Sequence, residues 1–241
     1  MKLKQNKYTL NLKFLIGVAL ISTVIGNAQL LNTMGNTPIV LKNVKTNSVT
    51  NTYSFTHKYV LQIKDGRRTT NIEYYINPRT NYFASRIPEQ SQSVAANIMD
   101  VNDKKMHILM ENGNKKSRMS MRLNIDKVSK HAIDAYTVTI TPTNNTKKII
   151  GYTCKEYKID GDTVEGSVWV TQSAGISFTN AFFRPSSNAT DPNWQKLQTG
   201  LTLEMDMIDK SKRRPKPIKM TCIALENVSM SYNLSDYKKL L

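Results

Sequence analysis

The chain is poor in the residues from which most active sites are built: it has only two cysteines, three histidines and two tryptophans in 241 residues. His57, His107 and His131 each stand alone in sequence. No His-Glu-x-x-His, Gly-x-Ser-x-Gly, phosphate-cradling glycine loop or paired metal spacing accompanies them. A general base needs a positioned partner, and none can be named from the sequence. The expectation is therefore a protein that is not an enzyme, with no catalytic, metal or cofactor residues, and histidines that are strand or surface residues. Cys-x-x-Cys is missing too, which removes the usual redox and zinc patterns. Long apolar runs are also scarce. The single one, Phe14 to Gly26, is shorter than the roughly 20 residues that a bilayer-spanning helix needs.

What surrounds that run gives it a meaning. Lys2, Lys4, Lys7 and Lys13 make a basic leader, and Gly26-Asn27-Ala28 has the small-x-small pattern that a signal peptidase cuts. No cysteine stands at the cut, so no lipid anchor is expected. The product would be periplasmic or secreted. Removing residues 1–28 leaves about 213 of the 241 residues, enough to bury roughly 70% of the unfolded surface in one domain over 53–241, preceded by a polar extension over 29–52.

Acidic residues are scarce as well, 18 against 34 Lys plus Arg. The net charge of +16 falls to +12 without the four leader lysines. Such an excess ordinarily suggests nucleic acid. Export points elsewhere, to lipid headgroups, surface polysaccharides or acidic proteins. In an exporting compartment Cys154 and Cys222 can persist as a disulfide, worth about 4 kcal/mol from loop closure, or stay as two buried small hydrophobes. The sequence leaves both open.

Period-two runs separated by tight turns predict an antiparallel meander of about nine strands. Tyr53, Phe55, His57, Tyr59, Leu61 and Ile63 share one phase and are turned at Asp65-Gly66. Ile72 to Ile76 runs back, residues 77–81 turn again, and Tyr82 to Ile87 follows. Met106, Ile108 and Met110 lead to a turn at Asn112-Gly113, after which Ser117 to Leu123 returns. Residues 122–136 lose the alternation and suggest a short helix through Ile125, Val128 and Ala132. Lys148 to Ile159 reads as one strand, turned at Asp160-Gly161-Asp162 into Val164, Val168 and Val170. Asp191, Pro192 and Gly200 then bound a helix over 192–199. Two strands complete the chain: the first alternates Leu201, Leu203, Met205 and Met207, and the longest keeps Ile218, Met220, Cys222, Ala224, Val228, Met230 and Tyr232 in phase.

Two features suggest a ligand. Leu203, Met205, Met207, Met220 and Tyr232 lie in the apolar phase of adjacent strands, where flexible thioethers suit a groove for varied apolar shapes; ordinary core is the alternative. Between those strands, Lys210, Lys212, Arg213 and Arg214 make a proline-interrupted basic tip able to meet an anionic headgroup, membrane surface or envelope protein, or simply to stay solvated.

The stretch Lys147-Lys148-Ile149-Ile150-Gly151-Tyr152-Thr153-Cys154-Lys155-Glu156-Tyr157, then Trp169-Val170-Thr171 and Gly200-Leu201-Thr202-Leu203-Glu204-Met205, resembles a secreted bacteroidete family of unknown function. That family is similar to the LolA-like group, in which a curved antiparallel half-barrel is closed by helices and some members carry lipoprotein acyl chains. The resemblance spans Tyr53 to Tyr237. It implies a mainly β, α+β fold with one or two covering helices and, by analogy, a lipid or acyl-chain ligand in the concavity. No family residues transfer. The competing expectation is an envelope interaction module that binds a protein or polysaccharide.

Overall fold

A computed structural model of the protein describes residues 50–65, 68–88, 94–100, 102–122, 138–162, 164–176, 192–210 and 217–240. The leader, most of the N-terminal extension, the helix expected near 122–136 beyond Arg122, the helix cap expected at Asp191, and Lys212, Arg213 and Arg214 lie outside these residues. Among the described residues twelve strands form one sheet: β1 (Thr52–Asp65), β2 (Arg68–Ile76), β3 (Tyr82–Arg86), β4 (Val94–Asp100), β5 (Lys105–Asn112), β6 (Lys115–Arg122), β7 (Val138–Ile149), β8 (Tyr152–Gly161), β9 (Val164–Thr171), β10 (Leu201–Asp209), β11 (Pro217–Asn233) and β12 (Lys238–Lys239). Their order in space is β12-β6-β5-β4-β3-β2-β1-β11-β10-β9-β8-β7. All neighbours are antiparallel except β12, which runs parallel to β6. The sheet is curved and not closed into a barrel. Its one α-helix among the described residues, α1 (Pro192–Thr199), lies where the Pro192 and Gly200 signals put it, and the Gly200 amide donates to the Lys196 carbonyl at 3.1 Å.

Local chemistry explains most of the turns. Asn77 organises the β2–β3 connection: its Oδ1 accepts from the Arg79 amide at 3.1 Å and its carbonyl from the Thr80 amide at 3.0 Å. The β5–β6 hairpin pairs Asn112 with Lys115, so its turn is Gly113-Asn114, with Gly113 at φ 57°. Only its first central residue has positive φ, as a type II′ turn requires. Sequence placed that turn one residue earlier, which shifts every expected β5–β6 partner by two.

Three further differences have physical causes. Lys148 to Ile159 is not one strand, because Ile150 (φ 44°) and Gly151 (φ 89°) turn β7 into β8. A β-branched residue rarely adopts such a φ, so Ile150 reads as a strand former and hides the turn. The strand Val94–Asp100 went unrecognised since its alternation is weak: both of its sides are at least half covered. Finally, the run Tyr53 to Ile63 does not keep to one core. Phe55 pairs with Met230 and His57 with Asn227, so Val228 and Ser229 of β11 oppose the single Thr56. This bulge lets one strand serve two clusters.

The first cluster joins Tyr59, Leu61 and Ile63 to Ile72, Tyr74, Ile76 and Phe83 on one flank and to Cys154, Tyr157, Val168, Leu203, Met205 and Met220 on the other. The second packs Tyr53 and Phe55 with Tyr75, Ala84, Ala96, Ile98, Leu109, Tyr232, Leu234 and Tyr237. It exists because the ends of β1 and β11 run past β2 and over β3–β6. A 3₁₀ turn, Leu234–Asp236, then carries the chain into β12; Asn233 caps it by accepting from the Ser235 amide at 3.0 Å.

Candidate functional site

The residues expected to line a groove divide between the two cores. Leu203, Met205, Met207 and Met220 all belong to the first cluster and are at most 5% exposed. Met205 and Met220 face each other in a rung that runs Ile63–Met220–Met205–Val168–Tyr157, buried throughout. Tyr232 lies apart, in the second cluster, with its hydroxyl donating to the Ala95 carbonyl at 3.4 Å. These five side chains are packed core, not the lining of an open face. Lys210, expected to meet anions, already faces two carboxylates, Glu165 at 3.3 Å and Asp160 at 3.5 Å. Cys154 and Cys222 are buried free thiols. Their strands, β8 and β11, have both β9 and β10 between them. Burial pushes both thiols up, Cys222 to about 12.

An open apolar face does exist, on β4–β6. Met99 pairs with Met106 and Met106 with Met121, so three methionines align across three strands. The same rung continues inward through Phe83 to Ile76, both buried. Along it the sheet passes from closed core to accessible thioether, ending at Met121, which is 38% exposed. The next rung adds Ile108 and Met119, and a third brings Met110, all half-buried. The hairpin that presents this face, Lys105–Arg122, carries five cationic side chains against one carboxylate, Glu111.

The opposite side of the same hairpin holds a buried polar chain. His107 and Asp100 are each 3% exposed. The Tyr53 hydroxyl donates to Asp100 Oδ2 at 3.0 Å and meets His107 Nε2 at 3.3 Å, while His107 Nδ1 lies 2.8 Å from Ser120 Oγ. Asp100 Oδ1 accepts from the Asp103 amide at 2.9 Å. Burial, then the charges of Arg118 and Lys105, hold the imidazole below its usual range, so it is neutral near pH 7. His107 is thus a strand residue, one of the two places expected for it, but it is buried and has partners that its sequence neighbourhood does not show. Its partner Ser120 sits directly across the hairpin and was missed because the expected register pairs His107 with Arg118. A second polar cluster stands further along this side: Glu73 is paired with Arg86 and accepts from Tyr75 at 2.9 Å. Burial alone would raise the Glu73 carboxyl, but those bonds and the Arg86 and Lys58 charges bring it below its usual range.

A family model described as a domain of unknown function, DUF4412, matches residues 55–202. The chain belongs to the DUF4412 family. The matched stretch of this DUF4412 protein contains the first core as far as Leu201, the methionine rungs and His107–Ser120, and leaves out the Leu203, Met205, Met207, Ile218, Met220 and Cys222 side of that core. No curated protein matches it in sequence. Among solved structures it is similar to PNGF-II in a C2 and a P21 crystal form, at 13% and 14% identity and TM-scores of 0.39 and 0.40. It covers 77% of its own length and 31% of theirs in both comparisons. A DUF1329 family protein from Desulfovibrio piger is similar at 10% identity and TM-score 0.24, over 75% of this chain and 87% of that one.

Proposed function

We propose that this DUF4412 protein is an exported binding protein that takes up the acyl chain of an anionic amphiphile on the methionine-lined face of β4–β6. The carrying observation is the rung Ile76–Phe83–Met99–Met106–Met121, a continuous apolar strip that runs from closed core to half-exposed thioethers. Unbranched, polarizable side chains adapt to apolar partners of varied shape. The sign of the ligand follows from Lys115, the one charged side chain that the register of the Lys105–Arg122 hairpin puts on the methionine side, which favours an anionic head at its margin.

Titration of the purified protein with a fluorescent fatty acid tests the reading. Saturable uptake is expected. It should fall at least tenfold in Met106→Glu and Met121→Glu with the thermal midpoint held within a few degrees, and weaken as salt screens the cationic margin. Absence of uptake by the native protein, or uptake indifferent to both substitutions, would overturn the proposal and favour an envelope interaction module instead.

A further inference from the structure

The proton positions along the buried polar chain are determined by its donors. Tyr53 has one hydroxyl proton and gives it to Asp100 Oδ2 at 3.0 Å. Toward His107 the tyrosine oxygen can then only accept, so the imidazole proton sits on Nε2 at the 3.3 Å contact. This leaves Nδ1 with a lone pair, and the Ser120 hydroxyl donates to it at 2.8 Å. The array therefore reads Ser120 O–H to Nδ1, Nε2–H to Tyr53, and Tyr53 O–H to Asp100, with every proton directed toward the carboxylate.

From this directed array we propose that Ser120 is an acyl-transfer nucleophile, with His107 as its general base, the Tyr53–Asp100 pair as positioning residues and Arg118 as the group that stabilises charge on the acyl oxygen. Nucleophile–base–orienter arrangements are recognised by geometry and roles rather than by fold. Two independent features fit. Ser120 is half-buried, so a substrate can reach it while its base stays dry, and β12 pairs only with Ser117 and Arg118, leaving the β6 edge past Arg118 uncovered by that strand. The Arg118 Nε is buried without a hydrogen-bond partner, two residues from Ser120 on the same side of β6.

The substrate class is a carboxylic ester. Ser120 Oγ bonds to the carbonyl carbon as its proton passes to Nδ1, and the oxyanion so formed faces the Arg118 guanidinium. The ester C–O bond breaks, the alcohol leaves with the proton from Nδ1, and an acyl-serine remains. Water then attacks the acyl carbon, giving one proton to Nδ1. Collapse releases the carboxylic acid, and Ser120 Oγ recovers that proton. The step consumes water alone, and it does not rest on amphiphile binding, which uses the other side of the hairpin.

Incubation of the purified protein with a fluorophosphonate, followed by intact-mass and peptide analysis, tests the site alongside hydrolysis of a short p-nitrophenyl ester. A single adduct on Ser120 is expected, abolished in Ser120→Ala, with ester turnover falling about 100-fold or more in His107→Gln. Tyr53→Phe should shift the pH profile of labelling, a change that loss of packing alone would not produce. If His107→Gln fails to fold, Ser120→Cys serves instead: its iodoacetamide reactivity should follow the ionisation of His107. No adduct on Ser120 in the folded protein, or labelling and turnover unchanged without the His107 imidazole, would refute the assignment.

Discussion

Replacing methionines by alanine at four positions separates the closed core from the open face. Met205 and Met220 are 5% and 1% exposed and pair directly within a rung buried across five strands. Truncating either removes buried methylenes and a thioether and leaves a cavity that paired strands cannot readily close, a cost of about 2–5 kcal/mol. For a chain of this size each kcal/mol lowers the thermal midpoint by about 2–4 °C, so a change of about 3 kcal/mol lowers it by roughly 6–12 °C. Met121 is 38% exposed and Met106 half-buried, so their truncation removes less buried surface and should cost under about 1 kcal/mol. Urea unfolding curves supply the stabilities, and fluorescent fatty-acid titration of the same four variants supplies the second axis. Met205→Ala and Met220→Ala should lose stability and keep uptake, whereas Met106→Ala and Met121→Ala should do the reverse. Loss of uptake confined to Met205→Ala and Met220→Ala, with little change in stability, would refute the division and return the ligand to the strands where sequence first placed it. The double variant Met205→Ala/Met220→Ala should fall short of additivity, because the two sites share one cavity.

Other consequences follow from single residues. Ile150 at φ 44° is an exposed β-branched side chain in a conformation that suits asparagine or glycine, so Ile150→Asn should stabilise the protein by about 1 kcal/mol in a urea titration; a loss would show that the side chain packs. The depressed basicity of His107 means that the unfolded chain binds more protons below its usual pKa of about 6.5. Stability contributed by the neutral imidazole should thus be complete above that pH and be lost as pH falls toward the folded value; an unfolding midpoint flat from pH 7 to 5, or one whose slope survives in a folded His107→Gln, would contradict this. Glu73 and Glu111 are also depressed, and their contribution should fall away only at lower pH, below the ordinary carboxylate value. Cys154 and Cys222, both buried and raised, should resist a thiol reagent in the native state and yield two reactive thiols once denatured; no thiols on denaturation would indicate the disulfide instead.

How much was legible depended on whether one rule decided the outcome. Pro192 and Gly200 bounded α1 correctly because no tertiary contact has to override a proline at a first turn. Leu201, Leu203, Met205 and Met207 alternated because β10 is covered on one side, and all four are buried. Where two rules competed, the reading failed. Ile150 carried strand propensity into a turn, and Val94–Asp100 lost its period under cover from both sides. Apolar phase also cannot tell a closed side from an open one. Met205 and Met106 look alike in sequence, and what separates them is how many strands and which chain ends pack over each.

The β5–β6 hairpin shows why register matters more here than residue type. Met106, Ile108, Met119 and Met121 alternate with His107, Leu109, Arg118 and Ser120, so each strand presents an apolar side and a polar side. Sliding one strand by one residue would bury arginine against methionine; sliding it by two would keep both sides in character and still part Ser120 from His107. Binary pattern therefore tolerates the two-residue slip that destroys the relay, and only the turn at Gly113-Asn114, which fixes the Asn112–Lys115 pair, forbids it. Re-setting that turn so that Glu111 pairs with Asn114 should leave the methionine face able to bind its probe while abolishing labelling at Ser120. Loss of both together would mean that the two sides of the hairpin act as one site.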